Sequence, residues 1–204
     1  MNRRECLKRA GVLSAAVILA LYGSPSGAAD PQPVTVLVTY HSVSGNTEKM
    51  AQAVAEGAKA VSGTSVVLKR VGEVIGDDLL SADAVIVGSP VYVGNMSGQV
   101  KTFFDNWGLK FGLGTGTGKM RNKVGAAFAT GGSISSGKEI TILTILASML
   151  SHQMIVISSR GGLGVSATTG PDSPGIDAKE IAEARDLGKR VAEVAALVKR
   201  GPSK

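Results

Sequence analysis

The chain has 204 residues, of which 44 % are hydrophobic and 4 % aromatic, and its formal net charge is +6. This length suits one well-buried domain and is short for two, since domains cluster at about 100 to 200 residues. No run of Lys and Arg interleaved with aromatic residues follows the first 29 residues, so the sequence does not indicate nucleic-acid binding.

Residues 1–29 predict a secretory signal peptide. An apolar run at 10–21 follows four basic residues, and its dozen or so residues fall short of the roughly 20 that span a bilayer. Residues 2–8 resemble the bacterial twin-arginine export motif, with Cys6 where that motif usually has Phe. We therefore expect cleavage after Ala29, a periplasmic or otherwise exported protein, and no permanent membrane anchor. An uncleaved tether is the alternative.

Cleavage would change both the charge and the cysteine content of the chain. Residues 1–29 contain four basic residues and one acidic residue, so 18 basic and 15 acidic residues would remain, with a net charge of +3. Cys6 is the only cysteine and would leave with the leader. The mature chain would then have no disulfide and no thiolate nucleophile, and we expect no metal site.

After a linker at 30–33, strands and helices alternate through one domain at 34–204. Continuous apolar and β-branched runs are typical of buried parallel strands. The segments 108–118 and 158–175 are rich in glycine and small polar residues and predict loops. The five strands are expected at 34–39, 65–69, 84–88, 124–128 and 155–157.

Apolar residues at helical spacing predict four helices between and after these strands. Ser97 is expected to cap the second of them, and Asp177 with Glu180 predicts a capping box on a long terminal helix. The predicted buried positions are Met50, Ala51, Val54, Ala55, Ala58 and Val61; Val100, Phe103, Phe104 and Trp107; Ile142, Ile145, Leu146, Met149 and Leu150; and Ile181, Ala184, Leu187, Val191, Val194 and Val198.

This alternation predicts an α/β fold with a doubly wound, five-stranded parallel sheet covered on both faces. In the strand order 2-1-3-4-5, ligands bind beyond the carboxyl ends of strands 1 and 3. The loops expected at that edge are 40–47, 89–96 and 129–137, and all three are rich in glycine and short polar residues.

The first of these loops predicts a phosphate-binding site. Its glycine permits a close backbone approach, and the helix that follows directs free N–H groups at the same place. The loop has no Lys or Arg and no Walker pattern, so the phosphate would be held by neutral donors rather than transferred. A glycine turn with an Asn helix cap is the alternative. The candidate donors are Ser42, Ser44, Gly45, Asn46 and Thr47.

Two loops carry a family resemblance. The segment 42–47 resembles the phosphate loop of flavodoxins, and 88–99, with Phe103 and Asp105 beyond it, resembles the second flavin loop of WrbA-like NAD(P)H:quinone oxidoreductases. The similarity continues at 130–139 and covers nearly all of the chain after the leader. It implies a flavodoxin-like fold, FMN as cofactor, NAD(P)H as co-substrate, and a quinone or a redox partner protein as acceptor.

The resemblance also assigns residues by position. Phe111 stands where this family often has a Trp near the flavin, and His152 where it has a His that faces the ring; His152 and Tyr92 are thus candidate catalytic residues. The phosphate loop would hold the FMN phosphate, and the other residues that would line the flavin are Pro90, Val91, Tyr92, Val93, Gly94, Asn95, Thr130, Gly131, Gly132 and Ser133.

Structural roles remain open for several of these side chains. Tyr92 could equally be a surface aromatic, and His152 could satisfy a helix end. Packing is favoured for Trp107, and a solvent-facing position for His41. Lys138 and Glu139 open a helix and are interpreted as capping or surface residues.

The sequence also departs from the family pattern. The family's second loop usually reads Pro-Thr-Arg-Phe-Gly-Asn, whereas this chain has Val91, Tyr92 and Val93 after its proline, so the handling of nicotinamide stays open. The segments that follow strands 2 and 5 are shorter than in the family. In the family, the longer segment after strand 5 helps to build tetramers. A homo-oligomer is therefore one open alternative.

Because FMN supplies the redox chemistry, the protein needs no catalytic triad. The resemblance favours a two-electron, ping-pong reduction of quinones or similar acceptors by NAD(P)H. A flavodoxin-type electron carrier between protein partners is the main alternative, and a non-catalytic flavin-binding module is the second.

Overall fold

The computed structural model describes residues 33–159, 161–170 and 175–201. The predicted leader at 1–29 and the linker residues 30–32 lie outside the described residues. In the part of the chain that is described, no helix is both long enough and apolar enough to cross a membrane.

A predominantly parallel sheet forms the centre of the domain. Its strands are β1 (Val34–Tyr40), β2 (Thr64–Arg70), β3 (Ala84–Tyr92), β4 (Asn95–Met96), β5 (Val124–Gly131), β6 (Ile155–Val156) and β7 (Val165–Thr168). The order is β2-β1-β3-β5-β6, with β7 also paired to β5 and β4 folded back antiparallel on β3. The predicted order 2-1-3-4-5 is confirmed, with the fifth position divided between β6 and β7.

The prediction of a continuous loop at 158–175 was wrong at β7. β6 pairs with the start of β5, from Val124, and β7 pairs with its end, from Phe128. The strand is only four residues long and is preceded by glycines, so its pattern resembles a loop. A Cβ on Gly164 would lie 2.4 Å from the carbonyl oxygen of Ala127, so a glycine is required where β7 approaches β5.

Among the described residues, five helices cover the two faces of the sheet: α1 (Asn46–Lys59), α2 (Gly76–Ser81), α3 (Gly98–Leu109), α4 (Lys138–Ser151) and α5 (Ala178–Arg200). α1 and α5 pack on one face, and α2, α3 and α4 pack on the other. The short α2 and a 3₁₀ turn at Val71–Glu73 occupy a connection for which the sequence predicted no element.

Both predicted helix caps are confirmed. The hydroxyl of Ser97 accepts a hydrogen bond from the Val100 N–H at 3.4 Å. The N–H of Glu180 donates to Asp177 at 2.7 Å, and the N–H of Asp177 donates to Glu180 at 3.0 Å, which completes the capping box. These caps fix where α3 and α5 begin.

Glycines bring α1 and α5 into backbone contact. A Cβ on Gly57 would lie 1.9 Å from the carbonyl oxygen of Arg185, and a Cβ on Gly188 would lie 1.8 Å from that of Val54. Neither position can carry a larger side chain unless the helices separate. The helix that follows the phosphate loop is therefore held directly against α5.

Most predicted core positions are buried, including Trp107, which is fully buried and packs edge-on against Phe103 with ring centroids 5.6 Å apart. The prediction for Leu150 was wrong, since it is 55 % exposed. Met149 is the last buried residue of the apolar face of α4. Leu150 lies at the edge of that face, and the helix ends at the next residue, Ser151. Val198, near the end of α5, is also exposed.

Candidate functional site

Three loops meet at the carboxyl edge of the sheet: the β1–α1 loop, the β3–β4 hairpin and the β5–α4 loop. Between them lies a cavity of about 120 Å³. It is smaller than the roughly 300 to 1,000 Å³ of typical ligand pockets, so it would enclose only part of a nucleotide-sized ligand. Its lining residues are Val43, Ser44, Asn46, Thr47, Pro90, Val91, Tyr92, Thr130, Gly131, Gly132 and Thr169.

The β1–α1 loop turns into α1 at Gly45. The φ of Gly45 is +86°, a left-handed conformation that glycine adopts without strain. Its N–H donates to the Ser42 hydroxyl at 3.1 Å, and the Asn46 amide donates to the Ser44 hydroxyl at 3.2 Å. No side chain caps the start of α1, so N–H groups of its first turn are left to bind an anion.

A hydrogen bond between two buried threonines joins the first and third loops. The hydroxyls of Thr47 and Thr130 are 2.8 Å apart, and each residue is at most 3 % exposed. Because Thr130 lies in β5, this contact fixes the start of α1 relative to the sheet.

Sequence reasoning missed Arg70, which supports the phosphate loop from the end of β2. Its guanidinium donates to the Ser42 carbonyl at 2.7 Å and to Glu48 at 2.6 Å. It also lies over the Tyr40 ring, 5.4 Å from its centroid. In the sequence, Arg70 follows the predicted strand at 65–69 and belongs to a segment, 68–71, that resembles the family; neither pattern identifies the partner of the arginine.

The second loop is a tight hairpin rather than an open loop. β3 continues to Tyr92, and β4 pairs with it through Val91 and Met96. Val93 and Gly94 form the tip with φ values of +51° and +77°. Positive φ is unusual for a β-branched residue, and such strain is often found at ligand-binding sites. Val93 is fully exposed at this tip.

The hairpin and the third loop touch through their backbones. A Cβ on Gly137 would lie 2.6 Å from the Gly94 carbonyl oxygen. The Asn95 side chain accepts a hydrogen bond from the Thr144 hydroxyl on α4 at 2.8 Å. These contacts fix the rim formed by Pro90–Asn95 relative to α4.

Lys138 is not the capping or surface residue that the sequence predicted. It is only 5 % exposed, and its ammonium donates to the Ser133 carbonyl at 3.2 Å and to the Thr168 hydroxyl at 2.5 Å. Thr168 belongs to β7, the strand that the sequence did not reveal. Because the sequence did not predict β7, it gave no indication that Thr168 would be a hydrogen-bond partner for a buried Lys138.

His41 is half-buried, so the prediction of a solvent-facing histidine was wrong. Its Nδ1 lies 3.0 Å from the Ser97 hydroxyl, and its ring contacts Tyr92 edge-on with centroids 6.0 Å apart. Burial lowers its pKa, and the neighbouring Arg70 charge lowers it further. Tyr92 is 43 % exposed at the cavity mouth. Tyr92 lines the cavity between the three loops and His41 lines a second cavity, so their two rings separate the two cavities.

The second cavity is larger, about 610 Å³, and lies between the ends of β1 and β2 and the first turns of α3. Phe103 and Val71 give it an apolar floor, and Gln99 and Asn106 lie along it. We place the functional site at the smaller cavity because the phosphate loop, the hairpin and the β5–α4 loop all meet there.

Two predicted site residues lie away from this edge. His152 follows the end of α4, where its Nδ1 lies 2.8 Å from the Ser148 carbonyl and its ring contacts Trp107 at 4.8 Å. The carbonyl of the adjacent Gln153 accepts a hydrogen bond from the N–H of Asn122, just before β5 begins, at the opposite edge of the sheet. Phe111 follows α3 and packs into the core on the α3 side. The structure brings neither residue to the loops.

The remaining predicted residues are brought together. Ser42, Ser44, Gly45, Asn46 and Thr47 form one turn. Pro90–Asn95 form the hairpin, from which Pro90, Val91 and Tyr92 line the cavity. Thr130, Gly131 and Gly132 line it from the neighbouring β5, and Ser133 follows them outside the lining.

Tyr40 is held in its neutral form beneath the phosphate loop. Its hydroxyl donates to Glu48 at 2.7 Å. Burial, followed by this hydrogen bond, raises the pKa of Tyr40 to about 12. Tyr40, Glu48 and Arg70 thus form a continuous hydrogen-bonded support under Ser42.

A family model described as NADPH-dependent FMN reductase matches residues 70–164. An NAD(P)H dehydrogenase (quinone) from Geotalea daltonii is 35 % identical, with 78 % of this chain and 96 % of that protein covered. The chain belongs to the flavodoxin-like FMN flavoprotein family. A flavodoxin from Aquifex aeolicus is also 35 % identical, with coverage of 79 % and 87 %.

Solved structures agree with this flavoprotein assignment. A WrbA-like flavodoxin from Agrobacterium tumefaciens matches with a TM-score of 0.67 and 29 % identity, covering 80 % of this chain and 98 % of that one. An archaeal flavodoxin matches with a TM-score of 0.64 and 25 % identity, covering 79 % and 99 %.

The residues at the three-loop edge fit FMN, the cofactor of this flavoprotein family. An uncapped helix start at Gly45 suits a phosphate that is held by neutral donors. Gly131 and Gly132 line the cavity, so main-chain groups lie next to the space that a polar ring edge would occupy. Ser42–Thr47 would hold the phosphate, and the hairpin and Thr130–Ser133 would border the flavin.

Proposed function

We propose that this protein is an exported reductase that uses NAD(P)H to reduce quinones or similar small acceptors by two electrons. FMN would supply the hydride and electron chemistry. The chain's own residues bind the phosphate, fix the loop geometry and leave the cavity mouth open. The observation that carries the proposal is this open mouth, where Tyr92 and Val93 are exposed beside the cavity.

The relatives support an enzyme of this class. The matched FMN reductase model spans β3, the hairpin and the β5–α4 loop. The Geotalea daltonii relative is named for NAD(P)H and quinone. Tyr92 is the one aromatic side chain in the cavity lining, and we assign it the role of contacting a planar ligand at the rim.

Anaerobic stopped-flow mixing of the FMN-loaded protein with NADH and with NADPH tests the proposal. We expect the flavin absorbance to bleach with at least one of them and to recover when a soluble quinone is added. If neither nucleotide bleaches the flavin, the reductase function is refuted.

The second candidate is a flavodoxin-type electron carrier, and the 35 % identity to the Aquifex aeolicus flavodoxin favours it. Steering to basic partners would require strong acidity, whereas residues 30–204 carry a net charge of +3. Reduction in two well-separated one-electron steps, without a reaction with nicotinamides, would favour the carrier.

Export is part of the proposal and rests on residues 1–29. The twin-arginine route carries folded proteins, so FMN could be bound before export. A fusion of residues 1–29 to a reporter should be exported, and a fusion with Arg3→Lys and Arg4→Lys should not. Export of the double variant would contradict the twin-arginine assignment.

A further inference from the structure

Lys138 is a buried lysine whose hydrogen-bond partners among the described residues are neutral. Its ammonium donates to a backbone carbonyl and to a threonine hydroxyl, and none of the ion pairs between described residues includes it. Lysine is almost never fully buried without a charged partner, because transfer of a charge from water is unfavourable. The stability of the fold therefore does not explain why a lysine occupies this position.

The position of Lys138 in α4 adds to this electrostatic cost. Lys138 is the first residue of the helix, where the helix dipole is positive and a cation is disfavoured. Gly137 provides no side-chain cap, so the first-turn N–H groups add partial positive charge at the same place. Both effects make the electrostatic potential at this position more positive.

The lysine lies directly behind the wall of the FMN cavity. A Cβ on Gly131, which lines the cavity, would lie 2.9 Å from Cγ of Lys138. Thr168 holds the ammonium, and its neighbour Thr169 also lines the cavity.

Two carboxylates lie near this group without pairing with it. Glu180 accepts hydrogen bonds from the N–H groups of Thr168 and Asp177, one on each oxygen. Glu139 is exposed on the next position of α4. Among the described residues, the ammonium of Lys138 is therefore in no direct ion pair with a carboxylate.

We propose that Lys138 raises the reduction potential of bound FMN. Uptake of two electrons and one proton gives the cofactor one additional negative charge, and a fixed cation nearby stabilises that form. At an effective dielectric constant of about 20, one charge can change such an equilibrium about tenfold. For a two-electron couple this corresponds to about 30 mV. The effect is independent of whether a nicotinamide or a protein supplies the electrons.

The test is the midpoint potential of the FMN-loaded protein, measured by flavin absorbance against a reference dye. Lys138→Gln should lower the affinity for reduced FMN about tenfold relative to that for oxidised FMN. Lys123→Gln is the matched control, because Lys123 also donates to backbone carbonyls, those of Leu80 and Ala82, but at the opposite edge of the sheet. It should leave the potential unchanged.

A second variant keeps the lysine in place and neutralises its charge. Thr168→Asp puts a carboxylate where the ammonium now meets a hydroxyl, so it should lower the potential in the same direction as Lys138→Gln. The proposal is overturned if the affinity ratio changes less than about twofold in both variants, or if Lys123→Gln gives the same shift. It is also overturned if Lys138→Gln weakens both forms of FMN equally, since Lys138 would then only hold the loop.

Discussion

Replacing Arg70 with Met tests whether the phosphate loop depends on support from β2. Methionine keeps an apolar stem of similar length but removes the guanidinium that joins the Ser42 carbonyl to Glu48. The loop would then keep the internal bond between Gly45 and Ser42 and lose its tie to the sheet edge. We expect the loop to sample more conformations and to bind FMN more weakly.

The contacts of Arg70 set the size of this effect. The side chains of Arg70 and Glu48 are 43 % and 30 % exposed, so solvent screens their ion pair, and such pairs contribute about 0.2 to 1 kcal/mol. The hydrogen bond to the Ser42 carbonyl contributes about 1 kcal/mol. Together they give about 1 to 2 kcal/mol, which corresponds to a Kd for FMN that is about 5 to 30 times higher.

The assay is titration of the FMN-free protein with FMN, followed by quenching of the flavin fluorescence. Arg185→Met is the control, because Arg185 donates two hydrogen bonds to Glu56 on the outside of α1, away from the loop. Its Kd should stay within about twofold of the unmodified protein, as expected for an exposed pair. If Arg70→Met also stays within twofold, or if Arg185→Met weakens FMN binding as much, the reasoning is refuted.

Three further predictions concern the frame of the site. The pKa of Tyr40 is raised to about 12, so the contribution of this tyrosine to stability should be complete below about pH 10 and be lost as the pH rises towards 12. Glu48→Gln should lower that pKa in an absorbance titration of tyrosinate. An unchanged titration would contradict the assigned hydrogen bond between Tyr40 and Glu48. Gly188→Ala should destabilise the domain by about 3 kcal/mol and lower Tm by about 10 °C. Gly116→Ala, which has open space around its Cβ, is the control and should change Tm little. Equal Tm values for these two variants would show that α1 and α5 are not in backbone contact. Thr47→Val should destabilise the FMN-free protein by about 1 to 2 kcal/mol in denaturant unfolding, because it leaves the buried Thr130 hydroxyl without its partner. Thr47→Ser keeps a hydroxyl and should retain most of that stability. A Val variant as stable as the Ser variant would argue against the hydrogen bond between Thr47 and Thr130.

The sequence predicted the sheet well because its strands are buried on both faces. Alternate residues of β1 pack into different cores, Val36 and Val38 on the α1 side and Leu37 on the α3 side, so the whole strand is apolar. Both helix caps follow from other local patterns, Ser97 and the pair Asp177 and Glu180, whereas the strand order rests on the similarity to flavodoxins. β7 escaped prediction because its four residues gain their stability from pairing with β5, and a short run among glycines does not encode that pairing.

At the site, sequence reasoning located the loops and missed the residues that hold them. Glycines and hydroxyls next to strand ends are local patterns, so Ser42–Thr47 could be found without a structure. Arg70 and Lys138 act through partners 28 and 30 residues away in the chain, and only the fold reveals these partners. His152 lies at the opposite edge of the sheet because 14 residues of helix separate it from the loop edge, a separation that an assignment by position does not show.

The glycine contacts between α1 and α5 also determine the order in which the binding site can form. α1 is made early in synthesis, and α5, which packs against it, is made only after the strands that the structure describes. Before α5 is made, Thr47 can already pair with Thr130 at the start of α1, but the middle of α1 has no backing, because Gly188 cannot yet meet Val54. The frame behind the phosphate loop is therefore completed late in the synthesis of this protein, when α5 docks, and not when the loop itself is made.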